Sequence, residues 1–205
     1  MMMAAFPLIL ASASPRRKEI LEAQGVSCIV VAPDVDESSL TAAWKAGGSG
    51  DVGALVMSLA CAKANAVLQG FLEHNASSPY LILAADTVVY DPENKRLFGK
   101  PKSSEDAVEM LMSLSGRSHE VYTGVALVSL TNAAGETVFF DRSTVTFDAY
   151  DEQAASDYVA SGEPLDKAGA YAIQGIWGAH VTHIEGDYQN VVGLPWYRVE
   201  PLLKV

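Results

Sequence analysis

Short blocks of consecutive apolar residues alternate with stretches whose apolar positions recur at helical spacing, and this alternation sets the expected order of elements. Leu8-Ile9-Leu10-Ala11 forms an unbroken apolar block and reads as a short buried strand. Ser12-Ala13-Ser14 leaves it. Ser14 is a natural N-cap and Pro15 suits the first helical position, where its missing N–H costs nothing. The helix is expected to run to residue 24 with Ile20 and Leu21 inward and Gly25 as its stop. A second strand is expected over 27–32, followed by the acidic stretch Asp34-Val35-Asp36-Glu37. A glycine-rich loop at 47–50 comes next. Asp51 then caps a long helix carrying Val52, Leu55, Val56, Leu59, Ala60, Ala64, Val67 and Leu68 on one stripe.

A further buried strand is expected over 80–85. It ends at Asp86, continues through Val88-Val89-Tyr90, and turns at 91–94. Residues 103–114 read as a helix with a Ser103-x-x-Asp106 capping pair and Gly116 as stop. Two antiparallel strands are expected over 121–130 and 137–147, around Asn132-Ala133-Ala134-Gly135. A short helix over 151–161 stops at Gly162. A strand over 179–184 and a helical C-terminal segment complete the order. Strand–helix alternation followed by an antiparallel portion implies an α/β protein with a mixed sheet.

Composition narrows the class. The chain has 205 residues, 49% of them apolar and 19% charged, enough for a sizeable core and too apolar for disorder. No apolar run approaches the roughly 20 residues that span a bilayer. Residues 1–5 are apolar but lack a basic flank, so no signal peptide is expected. Cys28 and Cys61 stand apart in apolar surroundings and read as reduced core thiols of a cytoplasmic protein. The formal net charge of −11 argues against stable binding to nucleic acid or an anionic membrane. It also makes local basic clusters informative, because an acidic protein that handles a polyanion must concentrate positive charge.

Five constellations carry candidate chemistry. Ser12-Ala13-Ser14-Pro15-Arg16-Arg17-Lys18 sits between a strand and a helix. Helix N-terminal amides, two hydroxyls and two planar guanidinium forks there suit phosphate oxygens. The same residues also suit a capped surface helix. Asp86 follows a hydrophobic strand, where open α/β sheets place ligands; it can bind Mg²⁺, orient water or accept its proton, or simply cap the strand end. Asp34, Asp36 and Glu37 can hold a hard cation or form a solvated acidic turn. Lys63 on the long helix and Lys100 in Gly99-Lys100-Pro101 can neutralise a polyphosphate or be surface charges. In the glycine-rich 166–175 segment, Gln174 can offer both a donor and an acceptor to a base edge, or be a surface amide on a structural loop.

Other chemistries fail on sequence. There is no G-x-S-x-G elbow. The segment before Gly99-Lys100 has Asn94 where a Walker A loop needs glycine, and Pro101 where it needs Ser or Thr. His180 and His183 fall on opposite faces of a strand and make a poor metal pair. His119 reads as an ordinary strand or loop histidine.

The ordered set of LILASASPRRKEIL at 8–21, DVDE at 34–37, Lys63 within 60–64, LAADTVV at 83–89, FGKP at 98–101, MLMSLSGRSHEVYTGVAL at 110–127, EPLDKAGAYAIQG at 163–175 and the Gly193-Leu194-Pro195 turn closely resembles the Maf family of nucleotide pyrophosphatases. The resemblance implies an elongated α/β fold shared with the inosine-triphosphate pyrophosphatases. That fold has a mixed β-sheet flanked by helices and a central cleft, formed by a single domain over 1–205 that allows two lobes. It implies metal-dependent hydrolysis (Mg²⁺ or Mn²⁺) of a nucleoside triphosphate to monophosphate and diphosphate, with Asp86 as general base. It assigns Ser12, Ser14, Arg16, Arg17, Lys63 and Lys100 to the polyphosphate, and Glu37 and Asp86 to the metal. Asp86-Thr87 and Ile173-Gln174-Gly175 resemble the dTTP/UTP subgroup, in which Arg16, Thr87 and Gln174 bear on base choice. The resemblance allows a homodimer. Two rivals remain open on sequence: cleavage at the γ-phosphate, and a nucleotide sensor without turnover.

Overall fold

The computed structural model describes residues 6–47, 50–73, 79–130 and 135–204. The expected loops at 47–50 and 132–135 therefore fall partly outside the described residues, and the apolar stretch 1–5 wholly so.

The strands are β1 (Leu8–Ala11), β2 (Cys28–Val31), β3 (Tyr80–Asp91), β4 (Arg96–Phe98), β5 (Ser118–Leu130), β6 (Glu136–Phe147) and β7 (Val181–Glu185). The helices are α1 (Pro15–Ala23), α2 (Glu37–Ala46), α3 (Val52–Glu73), α4 (Ser104–Leu114), α5 (Glu152–Ala160), α6 (Tyr188–Val192) and α7 (Trp196–Leu203). One mixed seven-stranded sheet runs in the order β2-β1-β3-β5-β6-β7, with β4 paired to β3. β1 lies parallel to both β2 and β3, with Leu8 opposite Cys28 and Leu81. β4 on β3 and β7 on β6 are antiparallel. The protein is thus the mixed-sheet α/β protein that the residue pattern implied.

The chain forms two compact units, one of residues 1–86, 123–141 and 193–205, the other of 87–122 and 142–192. In the first, Ala60, Ala64 and Val67 of α3 pack on Ile9 and Ala11 of β1, Ile82 and Ala84 of β3 and Ala126 of β5. Small residues let the helix approach closely. At Gly124 a Cβ would collide with the Val56 carbonyl, so only glycine fits. Asp51 caps α3 by accepting from the Ala54 amide at 3.0 Å. Over its most apolar stretch α3 has a mean hydropathy of 1.4, so length and composition alone would let it cross a membrane. This corrects the expectation that no apolar run comes near that length. The stripe buried against the sheet makes α3 a core helix of this unit.

The second unit has its own core. Val89 and Phe98 meet Met110, Leu111 and Leu114 of α4, Tyr158 and Val159 of α5, and the aromatic residues Phe147, Tyr171 and Trp177. Ser103 caps α4 by accepting from Asp106 N–H at 3.2 Å, but the Asp106 carboxylate accepts from Lys102 N–H at 2.8 Å, not from Ser103 as a capping box requires. α2 was not expected. It has no buried residue, and only its Asp36 cap announces it.

Candidate active site

The parallel trio β2-β1-β3 points one way; the chain leaving β1 and β2 supplies candidate groups, whereas Asp86 lies inside β3, which runs on to Asp91 and does not end at Asp86 as expected. The C-terminal ends of parallel strands are where open α/β sheets gather ligands. β1 leads into Ser12 and the N-terminus of α1; the chain beyond β2 leads to Glu37 at the start of α2; β3 carries Asp86, two residues past the Ala84 that stands opposite Ala11.

At the head of α1, Ser14 occupies the N-cap with Pro15 following, yet its side chain makes no capping bond. Ser12 bonds to the amide of the cap residue itself, not to one inside the helix. Its hydroxyl oxygen accepts from Ser14 N–H at 3.1 Å and from Arg17 Nη1 at 3.1 Å. The Arg17 Nε donates to the Gly193 carbonyl at 2.8 Å. Ser12 and Arg17 are both buried. With two donors already on its oxygen, the Ser12 hydroxyl has its acceptor capacity taken up and its own proton left to give. Burial lowers the Arg17 pKa, opposed by the negative charges of Asp86 and Glu37 and reinforced by the positive charge of Arg16. Arg16 is the more accessible of the pair.

Lys63 reaches from α3 to two carboxylates. Its ammonium is in hydrogen-bond contact with Asp86 Oδ1 and lies 2.9 Å from Glu37 Oε1. The Lys63 and Asp86 side chains are each 9% exposed and that of Glu37 is 51% exposed, so a buried ion pair opens toward solvent through Glu37. Five residues singled out in the sequence, Ser12, Arg17, Glu37, Lys63 and Asp86, therefore fall within this unit and around this corner of it.

The acidic run 34–37 behaves differently from a cation cluster. Asp36 caps α2, accepting from the Ser39 amide at 3.0 Å and from the Ser38 and Ser39 hydroxyls at 2.6 Å. Those three bonds hold its carboxyl down at about 2. Asp34 is exposed. Of the run, only Glu37 turns to the buried lysine. Among the described residues no group of three or more His, Cys, Asp or Glu side chains forms a metal cage. Two carboxylates converging on one ammonium do fit a hard cation of the kind that takes one or two carboxylates and completes its shell with substrate phosphates.

Thr87, Lys100 and Gln174 belong to the second unit. Thr87 follows on β3; Lys100 is exposed just beyond β4. The Gly99 carbonyl accepts from Gly169 N–H at 3.1 Å, which ties the Lys100 segment to the glycine-rich stretch. Gly169 itself has φ +69, and a Cβ there would press on Val89. Gln174 is exposed in a turn closed by Gly175 N–H on the Ala172 carbonyl at 3.1 Å.

Two features carry no local signal in the sequence. Gly193 was noted only as part of a turn, because nothing local shows that a carbonyl 176 residues away will hold Arg17. His119 is fully buried, with Nε2 2.8 Å from the Tyr171 hydroxyl and its ring against Phe147. Burial pulls its pKa down to about 3. Cys28 and Cys61 are free and half-buried, and Cys61 packs against the core of the first unit. His180 Nδ1 lies 2.8 Å from Asp148 Oδ1.

Sheet and site together define an α/β protein with Ser12 and Arg17 at the head of a helix, beside a lysine-bridged carboxylate pair. The chain belongs to the Maf family: the family model described as Maf-like protein matches residues 7–205. A protein of Bacillus thuringiensis subsp. konkukian named dTTP/UTP pyrophosphatase is 46% identical over 96% of this chain and 94% of its own length. Proteins of the same name from Bacillus anthracis and Bacillus cereus ATCC 10987 are each 45% identical over 96% of this chain, covering 94% and 88% of their own lengths. Among solved structures, one titled nucleoside-triphosphatase / dITP/XTP pyrophosphatase from Mycobacterium abscessus overlays with a TM-score of 0.39 at 18% identity, covering 71% of this chain and 74% of that one.

Proposed function

We infer that this protein is a cytoplasmic nucleoside-triphosphate pyrophosphatase that converts UTP and dTTP to the monophosphate and diphosphate, with the whole chain acting as one functional domain. The observation that carries the reading is the Lys63 ammonium held between Asp86 and Glu37. The relatives named dTTP/UTP pyrophosphatase support the choice of substrate.

Asp86 acts as general base. A water oxygen attacks the α-phosphorus, its proton passes to the Asp86 carboxylate, and the bond from the α-phosphorus to the α,β-bridging oxygen breaks to release diphosphate. Lys63 fixes the Asp86 carboxylate by hydrogen bonding, so the base does not have to be ordered during the reaction. Ser12 donates its remaining proton to a phosphate oxygen, braced by Arg17 on the Gly193 carbonyl. The α1 N-terminus, Ser14 and Arg16 add donors and positive charge, and Lys100 stabilises charge on the leaving diphosphate. Glu37 and Asp86 would hold Mg²⁺ or Mn²⁺, which when bound supplies Lewis-acid charge at the phosphates. Thr87 and Gln174 bear on the base, with the Gln174 carbonyl toward N3–H and its NH₂ toward a ring carbonyl. Incubating UTP, dTTP, CTP and purine triphosphates with Mg²⁺ and separating the products tests the reading. UMP and dTMP with diphosphate, formed faster than the other monophosphates, is the expected result. UDP with orthophosphate would replace it with γ-phosphate cleavage.

A further inference from the structure

The corner built on Lys63 already carries a balance of charge. Lys63 and Asp86 are buried, and the Lys63 ammonium is in hydrogen-bond contact with Asp86 Oδ1 and 2.9 Å from Glu37 Oε1. A second buried cation lies within electrostatic reach of the same carboxylates: Asp86 and Glu37 both raise the Arg17 pKa against the burial that lowers it. Arg17 is anchored in turn, with Nε on the Gly193 carbonyl and Nη1 on the Ser12 hydroxyl. Two carboxylates therefore face two cations that the fold holds in place. All four side chains belong to one compact unit.

This balance bears on how a divalent cation is taken up by Glu37 and Asp86. Mg²⁺ binds through one or two carboxylates and completes its shell with water and substrate phosphates. Here the carboxylates already serve an ammonium. Its like charge opposes a second cation at contact range, and burial of Lys63 and Asp86 leaves that repulsion poorly screened. Among the described residues no group of three or more His, Cys, Asp or Glu side chains is available to outweigh it. A nucleoside triphosphate changes both terms at once, because it brings several negative charges and further oxygen ligands. We propose that Lys63 couples metal uptake to nucleotide uptake: its ammonium, held between Asp86 and Glu37, weakens their grip on a divalent cation until a polyphosphate supplies negative charge and ligands. The free protein thus keeps its carboxylates for Lys63 and accepts the cation together with the nucleotide. The inference rests on Glu37 and Asp86 being the metal ligands.

The test is Mn²⁺ binding to the nucleotide-free protein, followed by the paramagnetic resonance signal of free Mn²⁺. Four proteins are compared: wild type, Lys63→Met, Lys63→Arg, and Lys63→Met combined with Glu37→Gln. Lys63→Met removes the competing charge and is expected to tighten Mn²⁺ binding about tenfold or more. Lys63→Arg keeps the charge and is expected to bind as wild type does. The double variant is expected to lose the gain. Melting curves give a second readout: Lys63→Met is expected to melt early in EDTA and to gain more from Mn²⁺ than wild type gains. Lys63→Gln carries the test if Lys63→Met folds poorly. Micromolar Mn²⁺ binding by nucleotide-free wild type overturns the coupling, as does an equal gain in Lys63→Arg. Lower stability without tighter Mn²⁺ binding makes Lys63 a structural residue and also overturns it. If wild-type turnover is still abolished by EDTA in that case, the metal reading of Glu37 and Asp86 stands without the coupling. A gain kept in the double variant places Mn²⁺ elsewhere and overturns both.

Discussion

Arg17 donates from Nε to the carbonyl of Gly193 at 2.8 Å, across 176 residues of chain. The bond turns the guanidinium so that Nη1 meets the Ser12 hydroxyl. Arg17 thus acts in part through Ser12. Ser12→Ala and Arg17→Lys are each expected to lower kcat/KM for UTP, and together to cost clearly less than the product of the two losses. Coupling of this kind is expected for residues in one hydrogen-bond network. Fully multiplicative losses in a double-mutant cycle would mean that Arg17 works independently of Ser12.

The buried pair of Lys63 and Asp86 separates catalysis from stability. Asp86→Asn removes the base but leaves Lys63 paired with Glu37 at 2.9 Å. The turnover rate is expected to fall on the order of 10²–10⁴-fold, with only a small shift in melting temperature. Lys63→Met instead leaves the Asp86 carboxylate buried with its cation gone, and is expected to cost about 3 kcal/mol or more. Thermal melts beside single-turnover rates on both variants check this. A large loss of stability in Asp86→Asn with activity kept per folded molecule would make Asp86 a structural residue.

His119 sets part of the acid sensitivity. Its folded pKa lies near 3, against an ordinary value of 6.5, because burial disfavours the charged ring. Between those values the unfolded chain binds a proton that the folded chain does not. Stability is therefore lost as pH falls through that window and regained as it rises. His119→Phe, which keeps an aromatic ring against Phe147 and Tyr171, is expected to flatten the decline, measured as denaturant midpoints between pH 7 and pH 4. An unchanged slope would place the acid sensitivity elsewhere.

Much of this was legible in local pattern. The strand at Leu8–Ala11, the α1 helix with Pro15 at its start, the Asp51 cap and the apolar stripe of α3 all follow from residues close in sequence. What escaped depended on distant partners or on choice among local ones. Asp36 and Glu37 look alike in the sequence, yet three bonds from the next serines make Asp36 a helix cap while Glu37 reaches Lys63. Ser14 has the position of a cap but makes no capping bond, while Ser12 holds the Ser14 amide and Arg17. α2 lacks a buried face, so periodicity was silent there.

Metal removal tests the role given to Glu37 and Asp86. Excess EDTA is expected to abolish UTP turnover, and added Mg²⁺ or Mn²⁺ to restore it. Glu37→Gln is expected to raise the Mg²⁺ concentration needed for half-maximal rate. Turnover undiminished after chelation would remove the metal from the mechanism.

Attack of water at the α-phosphorus is read directly from the position of an isotope label. UTP is hydrolysed in water enriched in heavy oxygen, and UMP and diphosphate are separated and weighed by mass spectrometry. One heavy oxygen is expected in UMP and none in diphosphate. Label in diphosphate with unlabelled UMP would place the attack at the β-phosphorus, and labelled orthophosphate beside UDP would place it at the γ-phosphorus; either result contradicts the mechanism.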